Sequence, residues 1–319
     1  MRCFPQATTQ GWIRRGVLTS TGQVGYYSQR SCLCPQKRTA RAVSMPKIRD
    51  LISRRELIWN LVLRSLRIRY KGSALGFLWT LLNPLMMMLI YWLFISILKF
   101  QIPLSHLLTG VIFWQFIAMC TSDAVKSVSG FPNLVKKTYF PRVVLPLSMV
   151  IANLINFGLS IVVLGVILLL LKLFARADVD FSFLWMLPFV LVIQFCLVLG
   201  IALLISSANV LFRDIEHIVG VVLQALFFLT PIIYPLSLVR ERLDGLKLSS
   251  VLLSIYLLNP MASLVTLFRK AFLGRELFSG GGFLPPEPAF YVSLGLSLVI
   301  LFVGVRVFGK LEPYFADHL

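Results

Sequence analysis

The pattern of apolar and polar residues along the chain is dominated by six long apolar stretches, which short polar or basic segments separate. A helix needs about 20 mostly apolar residues to cross about 30 Å of hydrocarbon. Helices of soluble proteins instead carry a single apolar stripe. The sequence therefore predicts an all-α integral membrane protein with six transmembrane helices, at Phe77–Leu98, Leu107–Val125, Val150–Leu171, Leu184–Ser206, Ile218–Leu238 and Ala289–Phe308.

The composition supports this prediction and restricts the kind of transport that the chain can perform. Hydrophobic residues make up 58% of the chain and charged residues only 14%, which argues against a soluble protein. Ionisable residues are nearly absent from the six stretches, whereas ion-coupled carriers need them near the bilayer centre. We therefore expect the energy for any transport to come from outside this chain.

The positive charge is concentrated ahead of the first stretch. Residues 1–76 contain 15 of the 31 lysines and arginines against two acids, Asp50 and Glu56, and nine cations fall on the predicted outer segments. Because Lys and Arg beside a span stay in the cytoplasm, both termini are predicted to be cytoplasmic. Basic segments at a membrane also attract anionic headgroups, so the net charge of +18 does not indicate nucleic-acid binding.

Residues 1–44 differ from the rest of the chain, since they are polar, rich in Arg, Ser, Thr, Gly and Gln, and contain no acid. We expect a disordered extension here. Its composition is typical of an organelle transit peptide, and it also fits a start called too early, with Met45 as the true first residue. The remaining chain divides into a cytoplasmic amphipathic helix region at 45–76, a six-span domain at 77–309 and a cytoplasmic tail at 310–319.

The segment between Arg54 and Lys71 has helical periodicity. Its spacing gathers the polar residues Glu56, Asn60, Arg64, Arg67 and Lys71 on one face, and most of its apolar residues fall on the other. Such a helix lies in the headgroup plane. It is either a simple membrane anchor or a docking surface for a cytoplasmic partner, or both. Gly72 and Gly76 are predicted to bend the chain into the first span.

Two further segments break the regular pattern of spans. Pro231 and Pro235 lie at the end of the fifth apolar stretch, where proline should kink or stop the helix. The apolar segment Val251–Leu273 is interrupted by Asn259-Pro260. A seventh crossing would place the C-terminus outside, so we predict a pair of short re-entrant or interfacial helices on the outer side.

The five cysteines do not suggest a chemical site. Three lie within residues 1–44, and Cys120 and Cys196 stand alone within apolar stretches. No His cluster accompanies them, so we predict neither a metal site nor a disulfide framework. No catalytic residue is predicted either.

Four blocks of sequence follow one another in a recognisable order. They are Arg55–Trp59 with Arg69–Gly76, then Asn133–Arg142, then Phe212–His217, and finally Leu258–Met261. Over about residues 50–319, their order and spacing resemble the permeases of type-2 ABC exporters. The most similar branch exports lipid-linked polysaccharides and polyol phosphates, such as O-antigen, capsule and teichoic acid.

This resemblance implies a homodimer in the plasma (inner) membrane, with each copy bound to a separate ABC ATPase subunit. The chain lacks a Gly-x-x-x-x-Gly-Lys-Ser/Thr phosphate loop. We therefore expect ATP and Mg²⁺ on the partner, no cofactor in this chain, and a transport subunit rather than an enzyme. The resemblance further implies that the ATPase docks on the amphipathic helix and on the 130–142 loop, through Glu56, Asn60, Arg64, Arg67, Asn133, Leu134, Lys136, Lys137, Phe140 and Arg142.

The first two stretches carry many aromatic residues. Sugar rings pack their apolar faces on aromatic planes, and weak repeated contacts let a polymer keep moving. The same residues are also common in membrane interiors and interfacial belts. Under the first interpretation, the lipid-linked glycan would pass along Tyr91, Trp92, Phe94, Phe113, Trp114 and Phe116.

Two other functions remain open at this point. The same architecture would serve an ABC permease that exports a drug, a lipid or another small amphiphile. A membrane-embedded glycosyltransferase would instead need acidic residues that hold a metal near the membrane surface. Asp178 and Asp180 form an Asp-x-Asp pair, but they lie on the predicted outer side without further acids nearby.

Overall fold

The structure of the protein is a computed structural model. It describes residues 17–18, 24–25, 53–72, 76, 78–97, 99, 102–132, 134, 140–175, 179–236, 238–239, 249–274 and 288–315. Residues 1–41 form one compact unit, in which β1 (Val17–Leu18) and β2 (Val24–Gly25) pair antiparallel, and residues 42–319 form a second. Most of the predicted extension at 1–44, and the end of the tail at 316–319, lie outside the described residues.

The described chain from residue 53 onward is helical, as the sequence predicts. A 3-10 helix, Phe181–Met186, precedes the fifth α-helix, and another, Glu312–Tyr314, follows the last one. The α-helices are α1 (Arg55–Tyr70), α2 (Leu78–Ile97), α3 (Leu104–Ser129), α4 (Val144–Ala175), α5 (Leu187–Leu211), α6 (Ile215–Leu229), α7 (Ser249–Leu257), α8 (Pro260–Leu273) and α9 (Pro288–Leu311).

Four helical segments are long and apolar enough to cross a membrane. They are Leu104–Ser129, Val144–Phe174, Phe181–Leu211 and Tyr291–Tyr314, and they cover the second, third, fourth and sixth predicted spans. The first and fifth predicted spans correspond to shorter apolar helices, Leu82–Ile97 and Ile215–Leu229. A helical membrane protein is therefore confirmed, while the number of six spans stays a prediction.

The helix boundaries follow from local chemistry. Gly72 and Gly76, just after α1, have φ values of 79° and 46°, a backbone conformation that other residues rarely tolerate. Helix α6 ends at Leu229, just before Thr230-Pro231, because proline cannot supply the next backbone donor. Asn259 caps α8 by accepting the N–H of Met261 at 3.0 Å.

Helix α3 forms the centre of the bundle. It packs against α2, α4, α5, α6 and α8. In its apolar window 78% of the residues are buried, against 22–50% in the other three long segments. The outer helices therefore present their apolar sides to the surroundings, as expected for a protein whose solvent is lipid.

Helices α5 and α9 approach each other through two glycines. A Cβ on Gly200 would lie 2.6 Å from the backbone nitrogen of Leu301, and a Cβ on Gly304 would meet the carbonyl oxygen of Gly200 at 2.5 Å. Small residues allow this close backbone contact, which supplies van der Waals packing where lipid removes the hydrophobic driving force. The pair α5–α9 is thus a rigid part of the bundle.

The end of α6 is held by a buried arginine from α8. Arg269 is 1% exposed, and its guanidinium donates hydrogen bonds to the carbonyl oxygens of Pro231 and Ile232. A helix C-terminus carries partial negative charge, which suits a cation. Gly110 of α3 makes room for this contact, since a Cβ there would overlap with both the guanidinium and the Ile232 oxygen.

Further polar contacts join the same region. The Asn259 amide donates to the Thr230 hydroxyl at 3.1 Å, and the hydroxyls of Tyr234 and Tyr256 lie 3.2 Å apart. Gly110, which contacts Arg269, lies near the start of α3. Asp123, which contacts Arg69 of α1, lies near the end of α3. At about 1.5 Å per residue, these two levels are separated by about 20 Å along the helix axis. Arg269 and α1 therefore mark opposite ends of the bundle.

We predict that Gly304→Ala destabilises the protein by about 1–3 kcal/mol, because the added methyl group forces α5 and α9 apart. Gly295→Ala, on the same helix with nothing within 4 Å of the added Cβ, is the matched control and should change stability by less than about 1 kcal/mol. Thermal unfolding of the detergent-purified variants measures both. Equal melting temperatures for the two variants would contradict the close packing.

We also predict that Arg269→Met destabilises the protein by about 2 kcal/mol, since it leaves two buried carbonyls without donors. Arg269→Lys should recover only part of this loss, because an ammonium lacks the planar fork that reaches both oxygens. Lys310→Met removes an exposed cation and should be nearly neutral. Chemical or thermal unfolding in detergent is the measurement, and a stable Arg269→Met variant would show that the carbonyls find other partners.

Candidate functional site

The predicted polar face of α1 is exposed. Glu56, Asn60, Arg64 and Arg67 all lie on the accessible side of the helix, while Leu61 and Val62 are buried against the bundle. An open groove of about 850 Å³ runs along α1 and includes Asn60, Arg64 and Arg67 in its lining. The accessible face therefore offers mixed charge and amide groups to a partner.

The loop between α3 and α4 lies beside α1. Leu134 and Phe140 are half-buried and pack against a small core cluster that includes Leu61 of α1. The guanidinium carbon of Arg64 lies 5.0 Å from the centre of the Phe131 ring, a cation–π contact between helix and loop. Asn133, Lys136 and Lys137, which the sequence also suggests for docking, lie outside the described residues.

Arg142, the last predicted docking residue, is attached to the C-terminal segment. Its backbone N–H donates to Oε1 of Glu312 at 2.7 Å, and its guanidinium donates to the Glu312 carbonyl oxygen. The sequence analysis assigned residues 310–319 to a simple tail. Sequence reasoning missed this contact because the two residues are 170 positions apart.

A second polar cluster that the sequence analysis missed connects α1 to α3 and α4. Arg69 forms an ion pair with Asp123 and donates to the Asn153 amide oxygen at 2.8 Å. The Asn153 amide in turn donates to Asp123 at 2.8 Å. Asn153 of α4 thus forms hydrogen bonds with both Arg69 of α1 and Asp123 of α3. The sequence did not identify this pairing, because Arg69 and Asp123 are 54 positions apart.

A cavity of about 650 Å³ opens beside this cluster, between α1, α3, α4 and α6. Its lining combines the Arg69–Asp123 pair with a second ion pair, in which Lys126 Nζ lies 2.6 Å from Glu216 Oε1. Apolar residues such as Met149 and Val219 complete the wall. The Lys126–Glu216 pair lies at the surface and joins the start of α6 to α3, one of the two helices that α6 mainly contacts in the described bundle.

The six aromatic residues proposed for a glycan path fall into two groups. On α2, Trp92 and Phe94 are exposed and Tyr91 is half-buried, with its ring 5.3 Å from that of Phe227. On α3, the other three are buried inside the bundle and pack on further rings: Phe113 on Phe268, Trp114 on Phe227 and Phe116 on Phe157. Their spacing in the sequence did not distinguish these two environments.

The described residues offer little to metal or transferase chemistry. Among them, no group of three or more His, Cys, Asp or Glu residues is arranged to hold a metal ion. Cys120 and Cys196 are free thiols, the first of them buried. Asp180 accepts the N–H of Ser182 at 3.0 Å and so caps the Phe181–Met186 helix, while Asp178 lies outside the described part. Asp180 thus has a structural role.

Known proteins that are similar in sequence are membrane transport proteins, which agrees with the apolar helical bundle. Residues 56–273 match the profile of the ABC-2 type transporter family. The chain is 32% identical over 275 residues to the O-antigen export system permease protein RfbA of Myxococcus xanthus, covering 85% of this chain and 98% of that protein. It is 30% identical over 261 residues to RfbA of Klebsiella pneumoniae, covering 80% and 92%. The resemblance drawn from the four sequence blocks is therefore confirmed, and the chain belongs to the ABC-2 type transporter family.

Proposed function

We propose that this protein is the membrane subunit of an ABC exporter that moves a lipid-linked, O-antigen-like polysaccharide out of the cytoplasm. The observation that carries the proposal is the similarity to O-antigen export permeases over nearly their whole length. Membership of the family makes the chain a transport subunit rather than an enzyme, and it implies an ABC ATPase as partner. The ATPase would hold ATP and Mg²⁺, so this chain needs no cofactor of its own.

The proposed protein has six spans in the plasma (inner) membrane, with both termini in the cytoplasm. Helices α2 and α6 serve as the two shorter spans. The cations at the end of the bundle that carries α1 support this orientation. Helices α7 and α8 then form the re-entrant pair on the outer side, and the contact of Arg269 with the end of α6 supports this position because backbone groups at membrane depth need internal partners.

The ATPase is proposed to dock on the exposed face of α1 and on the adjacent 130–142 loop. Arg64 and Arg67 would meet acidic groups of the partner, while Leu134 and Phe140 give the loop an apolar base. Arg69 supports a mechanical role, because its contacts with Asp123 and Asn153 connect α1 to two long helices. A displacement of α1 by the ATPase would therefore reach the transmembrane bundle.

A homodimer is proposed to create the conduit, with α2 and α6 facing the second copy. Both helices expose an amide within a mostly apolar sequence, Asn83 on α2 and Gln224 on α6. Lipid cannot satisfy such groups, so contact with a second copy or with a polar substrate suits them better. The exposed rings of Trp92 and Phe94 would then line the glycan path together with Tyr91, while Phe113, Trp114 and Phe116 would form the layer behind them.

The docking proposal predicts that the double variant Arg64→Glu and Arg67→Glu weakens ATPase association by about tenfold at low salt, since two favourable charges become repulsive. The effect should diminish as salt increases. Arg213→Glu, a charge reversal at an exposed cation outside the predicted docking set, is the control. Binding of purified ATPase is measured for the wild-type permease, the double variant and the control, each in lipid nanodiscs and at several salt concentrations. Undiminished binding of the double variant would exclude α1 from the docking surface.

The substrate proposal predicts that depletion of this protein in its native cell traps lipid-linked glycan on the cytoplasmic face and removes it from the surface. Extraction of lipid-linked glycans, with separate measurement of internal and surface polymer, tests this. Unchanged glycans would reject the polysaccharide and favour export of a small amphiphile.

A further inference from the structure

The end of the docking loop is held by the C-terminal segment in a reciprocal way. The Glu312 side chain accepts the backbone N–H of Arg142 at 2.7 Å, and the Glu312 backbone carbonyl accepts the Arg142 guanidinium. Each residue thus contributes both backbone and side chain. Only 5% of the Glu312 surface is exposed, so water competes little with these bonds.

The surrounding rings explain why Glu312 occupies this position. After α9 the 3-10 helix Glu312–Tyr314 turns the chain back, and Phe315 becomes fully buried. The Phe315 ring packs edge-on against Phe308 of α9 with centroids 5.2 Å apart, and the Arg142 guanidinium carbon lies 5.9 Å from its centre. Val144 and Leu145 at the start of α4 belong to the same apolar cluster.

This arrangement places Glu312 between the docking loop and two long helices. Arg142 lies two residues before α4, so the contact joins the start of α4 to the end of α9. Helix α9 is in turn packed closely on α5 at Gly304. A force applied to the loop therefore acts on α4 and on the α5–α9 pair at the same time.

We propose that Glu312 is a positioning residue for the ATPase-docking loop. It fixes the Arg142 end of the loop in the conformation that the ATPase binds, and it transmits displacement of the loop to α9. The inference rests on the proposed function, because it takes the loop as a docking element. It adds the C-terminal segment, which the sequence suggested to be a plain tail, to the parts that connect ATP hydrolysis with transport.

The geometry indicates which property of Glu312 matters. Oε1 accepts a backbone N–H, while Oε2 is buried without a hydrogen-bond partner among the residues that the structure describes. An acceptor at Oε1 is therefore the essential group. Glutamine keeps that acceptor and the length of the side chain, aspartate shortens the reach by one methylene, and alanine removes the acceptor.

The test uses the full-length permease in nanodiscs, its ATPase, and the variants Glu312→Gln, Glu312→Asp and Glu312→Ala. Tyr314→Ala, at a residue that is 56% exposed in the same 3-10 helix, is the control. We expect Glu312→Ala to weaken ATPase binding by about tenfold, the scale of one lost buried hydrogen bond. Glu312→Gln should stay within about twofold of the wild type, Glu312→Asp should fall between, and Tyr314→Ala should leave binding unchanged.

The coupling ratio separates positioning from a purely structural role. We expect the complex that contains the Glu312→Ala permease to hydrolyse about threefold more ATP for each glycan exported than the wild-type complex. In that complex the loop would move without carrying α9 fully along. A merely structural role would instead lower the yield and the melting temperature, while the folded fraction kept the wild-type affinity and ratio. Rescue by Glu312→Gln in both measurements would support positioning through the acceptor.

Two results would overturn the inference. One is a folded Glu312→Ala protein, or a folded Glu312→Asp protein if the alanine variant does not fold, with wild-type binding and coupling. The other is a Glu312→Gln variant as damaged as Glu312→Ala. If the charge reversals at Arg64 and Arg67 weaken docking while the Glu312 variants do not, only this inference fails. If the wild-type chain does not bind its ATPase, the proposed function fails first.

Discussion

The organisation of this bundle depends on one constraint, which is that a polar backbone group at membrane depth must find its partner within the protein. Helix α6 ends at Leu229, ahead of Pro231, and the carbonyl oxygens of Pro231 and Ile232 just beyond it need donors from another part of the protein. The guanidinium of Arg269 supplies the missing donors, and Gly110 supplies the space. The broken helix, the buried helix α8 and the central helix α3 therefore form one interdependent group. Removal of Arg269 leaves the two carbonyls unpaired, and a side chain at Gly110 would displace the guanidinium from them; an unpaired buried polar group is costly in either case.

At the opposite end, polar contacts have a different distribution and a different consequence. The Arg69–Asp123–Asn153 cluster joins α1 to α3 and α4, and the Arg142–Glu312 contact joins the segment just before α4 to the end of α9. Each links a surface element to helices that are long and apolar enough to cross a membrane. Packed helices that are joined by hydrogen bonds transmit displacement well because packed interiors deform little. The chain thus has a physical route from its proposed ATPase-docking surface to its spans, in keeping with a transport subunit whose energy comes from a partner.

The sequence predicted those features that depend on local chemistry. Long apolar stretches indicated the helices, Pro231 and Asn259-Pro260 marked the breaks, and Gly72 marked the change in backbone conformation after α1. It did not predict the contacts of Arg269, Asp123 or Glu312, because their partners lie between 37 and 170 positions away. Nor did it separate Phe113, which is buried in the core, from Phe94, which is exposed. Apolar residues surround a transmembrane helix on every side, so periodicity carries little information about which side faces protein.

Transport by purified components would show directly whether the protein exports a polysaccharide. The permease and its ATPase would be reconstituted into sealed lipid vesicles, and lipid-linked O-antigen would be supplied on the face that carries the ATPase. We predict that glycan becomes accessible on the opposite face only when hydrolysable ATP is present. A non-hydrolysable ATP analogue should not support continued transfer. Polysaccharide export would be contradicted if glycan were transferred equally well without ATP. It would also be contradicted if a stable complex of permease and ATPase hydrolysed ATP but transferred no glycan.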